Sequence, residues 1–277
     1  MSTPADDIAV AEQDPRFGGI ERLYGAGALA RLRAAHVMVL GIGGVGSWAA
    51  EALARSGVGR LTLVDLDEVC VSNSNRQLHA LEGAVGHPKV QVMAARLARI
   101  NPDLAVHAEL RFFTAATADG LLAASPDRPG PDLVLDCIDS PKNKALLIAR
   151  AAAEGFGVVS VGGAGGRRDP TEIRTGDITQ SVQDGLLRVT KRALRRNHGF
   201  VGEGPWGVPA VFSRERAVFP QADGTVCHVP DLERSHRITC ATGFGTAAFV
   251  TGAYGLTAAG LAVDWLLGER PPVHTGR

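Results

Sequence analysis

The chain has 277 residues, a formal net charge of zero and 45 % hydrophobic residues. That length supports one large α/β domain or two small ones around a sizeable core. The balanced charge excludes a global electrostatic pull on nucleic acid, so any basic surface must be local.

Cys70, Cys137, Cys227 and Cys240 form no C-x-x-C pair and no disulfide framework. That pattern argues against structural zinc and fits a reducing cytoplasm. The segment Met1 to Asp14 is polar and acidic, without the basic and apolar regions of a signal peptide.

In chain order, His36 to Leu40 is a short apolar run that stops at glycines, as a buried parallel strand does. Gly41 to Gly46 is a tight turn, and Ser47 to Ser56 is a predicted helix. Arg60 to Val64 is a second strand, ending at Asp65. His87 to Ile100 has helical periodicity through Val90, Ala94, Leu97 and Ala98, and Asn101-Pro102 ends it. Leu104 to Leu110 and Asp132 to Cys137 are the third and fourth strands, Pro141 to Glu154 a helix, and Gly157 to Val161 a fifth strand. Strands alternating with helices imply a doubly wound, mostly parallel sheet.

After the flexible turn Gly162 to Gly166 the pattern weakens. The stretch 166–210 reads as a long crossover loop over the sheet. Within it Arg188, Lys191, Arg192, Arg195 and Arg196 fall close together with no acid among them. Val211 to Phe219 is a further candidate strand. Ala241 to Leu267 is apolar but rich in Gly, Ala and Thr, and reads as a buried helix rather than a membrane span. No internal repeat is present. We expect one domain over 1–277, with a nucleotide-binding core at about 17–165 and the crossover loop and C-terminal extension at about 166–268.

Gly41-Ile-Gly43-Gly44-Val-Gly46 follows a strand and opens a helix. There the glycines let phosphates approach a helix N-terminus, where free N–H groups favour anions. Asp65, ending the next strand, stands where an acid can bind ribose hydroxyls. Those features alone fit a nicotinamide-dependent oxidoreductase equally well. What separates the readings is the polar set around them: Asp67, Asn73, Asn75, Arg76, Gln77, Lys89, Asp136 and Asp139. A hydride-transfer enzyme has no need of such cations. An enzyme that splits ATP between its first two phosphates does, because Arg and Lys can neutralise the growing pyrophosphate charge and a carboxylate can hold magnesium.

The motifs Arg16-Phe-Gly-Gly19, Gly41-Ile-Gly-Gly-Val-Gly-Ser-Trp-Ala-Ala-Glu51, Asp65-Leu-Asp67, Asn73-Ser-Asn-Arg-Gln77 and Asp136-Cys-Ile-Asp-Ser140 resemble those of the ubiquitin-activating-enzyme-like (ThiF/MoeB) superfamily of adenylating enzymes. Gly162-Gly-Ala-Gly-Gly166, Pro220-Gln-Ala-Asp-Gly-Thr-Val-Cys227 and Cys240-Ala-Thr-Gly-Phe-Gly245 resemble its tRNA threonylcarbamoyladenosine dehydratase branch. The resemblance runs from about Arg16 to Gly268 and implies a Rossmann-like α/β fold.

It also implies roles. Gly41, Gly43, Gly44 and Gly46 form the phosphate loop, Asp65 binds ribose, and Asp67 is a further ATP-binding residue. Asn75, Arg76 and Lys89 bind the ATP phosphates, and Asp139 binds magnesium. Arg16 reaches into a partner subunit's site, which implies a homodimer. A sodium or potassium ion, and a cysteine desulfurase or its sulfur-acceptor protein as partner, are implied in the same way. Cys240 is a candidate reactive thiol, although the dehydratase reaction needs no thioester. Lys191, Arg192, Arg195 and Arg196 are candidate tRNA contacts. Two further alternatives are adenylation of the C-terminus of a ubiquitin-like sulfur carrier, against which the missing zinc cysteines count, and a non-catalytic scaffold on the same fold.

Overall fold

The computed structural model describes residues 14–125, 128–202, 204–229 and 244–268. Cys240 and the first residues of the expected C-terminal helix lie outside them. Two short helices, α1 (Gly18–Tyr24) and α2 (Ala28–Ala34), lead into β1 (His36–Leu40), α3 (Gly46–Arg55) and β2 (Arg60–Val64). A long irregular segment follows, then α4 (Lys89–Ile100), β3 (Ala105–Glu109), α5 (Ala118–Leu122), β4 (Leu133–Asp136), α6 (Pro141–Glu154) and β5 (Gly157–Val161). The remainder comprises β6 (Ile173–Asp177), α7 (Gly185–Asn197), β7 (Pro209–Ser213), the short hairpin strands β8 (Phe219–Pro220) and β9 (Val226–Cys227), and α8 (Ala248–Leu266).

Seven strands form one sheet in the order β3-β2-β1-β4-β5-β7-β6, parallel throughout except for β6 against β7. The chain runs outward from β1 to β3 on one side and then restarts at β4 on the other. The carboxyl ends of β1 and β4 therefore flank a topological switch point, where open α/β sheets place their ligands.

Side chains alternate across the central strands, so each face has its own core. Val37, Val39, Leu61, Leu63, Leu133, Leu135 and Val159 pack with α3, α4 and α8. Met38, Leu40, Val134, Val158, Ala210 and Phe212 pack with α5, α6 and α7. The small residues of α8 let it lie against α3. A Cβ on Gly255 would stand 2.4 Å from the Val45 carbonyl oxygen and 2.8 Å from Trp48 Cβ. This accounts for the Gly- and Ala-rich composition, and no described helix is long and apolar enough to cross a membrane.

The doubly wound sheet is as expected, but the crossover is not a structureless loop. Residues 166–210 hold the edge strand β6 and the three-turn helix α7. Asp184 caps α7, its Oδ1 accepting from Leu187 N at 2.9 Å, and Leu187, Thr190 and Leu194 face the core. The strand expected over Val211 to Phe219 begins two residues earlier and stops at Ser213. The C-terminal helix begins at Ala248.

Candidate functional site

The glycine turn sits at the carboxyl end of β1. Gly41 has φ +89, and a Cβ on it would lie 2.8 Å from the Cys137 carbonyl oxygen, in the loop that follows β4. A Cβ on Gly46, the first residue of α3, would lie 1.9 Å from the Gly41 carbonyl oxygen. Any side chain at Gly46 would force the turn open, so these positions require glycine. The result is an open helix N-terminus pressed against the end of the neighbouring strand, able to receive an anionic group.

Asp65 follows β2 and locks this turn: Oδ2 accepts from Ile42 N at 2.7 Å and Oδ1 from Asp67 N at 2.9 Å. It is buried, and burial raises its carboxyl above the ordinary range against the opposing pull of Lys89. Each oxygen keeps a lone pair, so a ribose hydroxyl could still donate to it. Asp67 does not stand free. Its Oδ2 lies 2.8 Å from Lys89 Nζ, and its backbone oxygen accepts from Lys89 N at 3.0 Å. Lys89 is itself buried at the first residue of α4.

The segment between β2 and α4 folds back over the turn. Arg76 lies across Gly44, where a Cβ would meet Arg76 Cγ at 3.3 Å. Its Nη1 donates to the Ser72 carbonyl at 2.7 Å and to Asn75 Oδ1 at 3.0 Å. Asn75 Nδ2 donates to the Thr246 carbonyl at 2.8 Å, and Trp48 Nε1 donates to the Arg76 carbonyl at 3.1 Å. Arg76 and Asn75 are thus pinned between α3 and the residues leading into α8. Asn73 and Gln77 are buried within this segment, and Gln77 Oε1 has no hydrogen-bond partner among the described residues.

Asp139 stands exposed in the loop after β4, and no hydrogen bond or ion pair joins it to another described residue. Among the described residues no three His, Cys, Asp or Glu side chains stand together as a metal cage. One free hard carboxylate fits magnesium held through a single protein ligand together with substrate phosphates and water. Beneath that loop Asp136 and Lys144 form a fully buried ion pair at 2.8 Å, with Ser160 Oγ donating to Asp136 Oδ2 at 2.7 Å. Removing one member of such a pair costs roughly 3–5 kcal/mol. Lys144 and Ser160 are support residues that the sequence reading passed over. The signal was available: a lysine in the first turn of a helix that starts directly after an acid-rich strand end.

A second knot holds the Gly162–Gly166 turn. Asp184 Oδ2 accepts from Gly163 N at 3.0 Å while its other oxygen caps α7. Arg167 Nε donates to Tyr254 Oη at 3.0 Å, and Arg167 Nη2 donates to the Gln183 carbonyl at 2.9 Å. Burial raises the Tyr254 phenol well above its usual range.

Arg16 is not brought to the turn of its own chain. Its guanidinium is paired with Asp14 at 2.8 Å and Asp103 at 2.5 Å. The adjacent Phe17 packs at Gly57, past the far end of α3 and about 15 Å from the glycine turn by helix length. On α7, Arg188, Arg192, Arg195 and Arg196 are exposed. Lys191 differs. It is half-buried, donates to the Ser181 carbonyl at 3.0 Å, and burial lowers its ammonium below the ordinary range. It is a fixture of the fold more than a free surface cation. Cys227 is half-buried beside Val229, its thiol 3.2 Å from the Val229 carbonyl oxygen.

A parallel sheet whose switch point carries a glycine turn, a buried acid that locks it and an arginine laid across it is the arrangement of a nucleotide-using ThiF protein. The ThiF family model matches residues 19–276, and the chain belongs to that family. It is 44 % identical over 257 residues to the Escherichia coli tRNA threonylcarbamoyladenosine dehydratase, covering 92 % of this chain and 94 % of that protein. It is 42 % identical over 260 residues to the dehydratase of Haemophilus influenzae, covering 93 % and 95 % of the two chains. A solved structure of the Escherichia coli enzyme in complex with ATP superposes with a TM-score of 0.79 at 39 % identity, covering 92 % of this chain and 94 % of that one.

Proposed function

We propose that this protein is an ATP-dependent tRNA threonylcarbamoyladenosine dehydratase, which closes a ring in N6-threonylcarbamoyladenosine with net loss of water. The observation that carries the reading is the meeting of the Gly41 turn with the Cys137–Asp139 loop under Arg76, in a chain that aligns with named dehydratases over more than nine-tenths of its length.

The threonyl carboxylate of the substrate attacks the α-phosphorus of ATP. The bond from that phosphorus to the bridging oxygen breaks, and pyrophosphate leaves. A nitrogen or oxygen of the same modification then attacks the acyl carbon and expels AMP. The oxygen lost by the substrate departs in AMP, so the atoms balance as loss of one water coupled to ATP cleavage.

The first step needs positioning and charge stabilisation more than proton transfer. In this reading Gly41, Gly43, Gly44 and Gly46 cradle phosphates at the start of α3. Asp65 takes the ribose, and Asn75, Arg76 and Lys89 meet the phosphates. Asp67 orients Lys89 through the 2.8 Å ion pair. Asp139 would hold magnesium, which neutralises charge on the departing pyrophosphate when bound. Arg16, directed away from its own turn, completes the site of a second copy in a homodimer. A sodium or potassium ion and a cysteine desulfurase or sulfur-acceptor partner belong to the same reading, as does a cytoplasmic location. Cys240 has no required step. The exposed arginines of α7 meet RNA phosphates.

Adenylation of a sulfur carrier is less well supported, because the chain has no C-x-x-C pair. The test is mass spectrometry of nucleosides from threonylcarbamoyl-modified tRNA incubated with the protein, magnesium and ATP. The modified nucleoside should lose one water only when protein and ATP are both present. Pyrophosphate release with a sulfur carrier and not with the tRNA would overturn the reading.

A further inference from the structure

At the end of the sheet opposite the glycine turn, a cleft of about 470 Å³ opens between α6, α8 and the chain entering β7. It is of the size that takes small planar molecules. Phe156, Trp206, Leu261, Trp265, Ile148 and Pro209 line it. Asp177, its one carboxylate, is buried, and its two oxygens accept from Thr179 N and Val208 N.

The cleft is joined to a cationic track. Arg188, Arg192, Arg195 and Arg196 recur at helical spacing on the exposed face of α7, with no acid along the helix. The helix is thirteen residues and about 20 Å long, and the arginines take up about 12 Å of it. The first turn of α7 is tied through Asp184 to the Gly162–Gly166 turn on the nucleotide side of the sheet. Its last turn places the Arg195 guanidinium 5.0 Å from the centroid of the Trp206 ring, which is braced edge-on by Phe200. An aromatic wall with an arginine over it, at the end of a row of arginines, is what single-stranded RNA needs: a stacking platform for a base and cations for its phosphates.

We propose that this cleft takes an unstacked nucleobase from a single-stranded part of the tRNA, while the arginines of α7 hold the flanking phosphates. The inference rests on the tRNA reading above and adds a second anchor, remote from the reacting adenosine. Apolar lining with cations at the rim favours a base with its flanking phosphates over an apolar protein segment, which would gain nothing from the row of arginines.

The test is binding of full-length tRNA by fluorescence anisotropy at several salt concentrations. Trp206→Ala should weaken binding about tenfold, within the range for loss of one stacked base, with the slope against salt unchanged because no phosphate contact is lost. Trp206→Phe should retain most of the affinity. Ala152→Phe, which fills the cleft from its exposed wall on α6, should weaken binding to a similar degree without removing any side chain. ATP affinity should stay as in the parent protein for all three. Unchanged tRNA affinity in both Trp206→Ala and Ala152→Phe, with dehydration of the tRNA intact, would overturn the cleft proposal and leave the enzymatic reading standing. Loss of self-association with unchanged tRNA affinity would also overturn it, in favour of a contact between copies. Absence of dehydration in the parent protein would instead remove the reading on which the proposal rests.

Discussion

His79 offers a perturbation whose size can be worked from its surroundings. It lies in the segment that carries Asn75 and Arg76, is 1 % exposed, and neither ring nitrogen has a hydrogen-bond partner among the described residues. Burial, with the charges of Lys89 and Arg96 nearby, lowers the imidazole to about 4 from an ordinary 6.5. Between those values the unfolded chain binds a proton that the folded chain refuses. Stability is therefore complete above about pH 6.5 and falls as the pH drops towards 4. At about 1.4 kcal/mol per pH unit, the loss is about 2 kcal/mol by pH 5 and approaches about 3 kcal/mol below pH 4. His79→Leu removes this proton-linked penalty. It also removes two unsatisfied nitrogens, each costing about 1–3 kcal/mol when buried, so the variant should be no less stable than the parent at pH 7.5. Urea unfolding at pH 7.5, 6 and 5 is the assay. The parent should lose about 2 kcal/mol more than the variant between pH 7.5 and pH 5. That is a midpoint difference on the order of 1 M for a slope of 1–3 kcal/mol/M. Parallel pH dependence in the two proteins would refute the reasoning, because it would mean that His79 charges freely in the folded state.

Four other outcomes follow from the structure. Asp139→Ala and Arg76→Ala should each lower turnover on the order of 10²–10³-fold while circular dichroism and Tm stay near those of the parent; an unfolded Asp139→Ala protein would make that residue structural. Neutralising Arg192, Arg195 and Arg196 together should weaken tRNA binding and flatten its salt dependence by about three contacts, with ATP binding intact by thermal shift. Lys191→Ala should instead lower Tm through lost contacts with the Thr179 and Ser181 carbonyls, and little change in Tm would contradict that assignment. Finally, Arg16→Ala and Asp139→Ala proteins, each strongly impaired alone, should recover activity when mixed and allowed to exchange subunits. No recovery would speak against a site shared between copies.

The nucleotide half of the fold was legible because its signals are local. A five-residue apolar run, a glycine turn that tolerates no Cβ at Gly46, and a helix opened by Pro141 each announce themselves within a few residues. The middle of the chain was harder to read. In α7 the core contacts are confined to Leu187, Thr190 and Leu194, and five basic residues between and after them mask the periodicity. Strand β6 holds a glycine and two charges and pairs only as an antiparallel edge, where burial demands little of sequence. Candidate site residues that stand in the turns themselves lie close together in sequence and could be picked out as a group. Partnerships between distant segments were not visible: Asp67 with Lys89, Asp136 with Lys144, and Asn75 with Thr246, 171 positions away. Lys191 was grouped with its neighbours by charge alone, whereas contacts with Thr179 and Ser181 set it apart.

Asp184 grips two things at once, the backbone at Gly163 with one oxygen and the first turn of α7 with the other. A carboxylate that serves two masters makes their positions interdependent. If ATP settles the Gly162–Gly166 turn, it also sets the tilt of the arginine row, and RNA seated on that row steadies the turn in return. Linkage then requires equal exchange: the factor by which ATP tightens tRNA must be the factor by which tRNA tightens ATP.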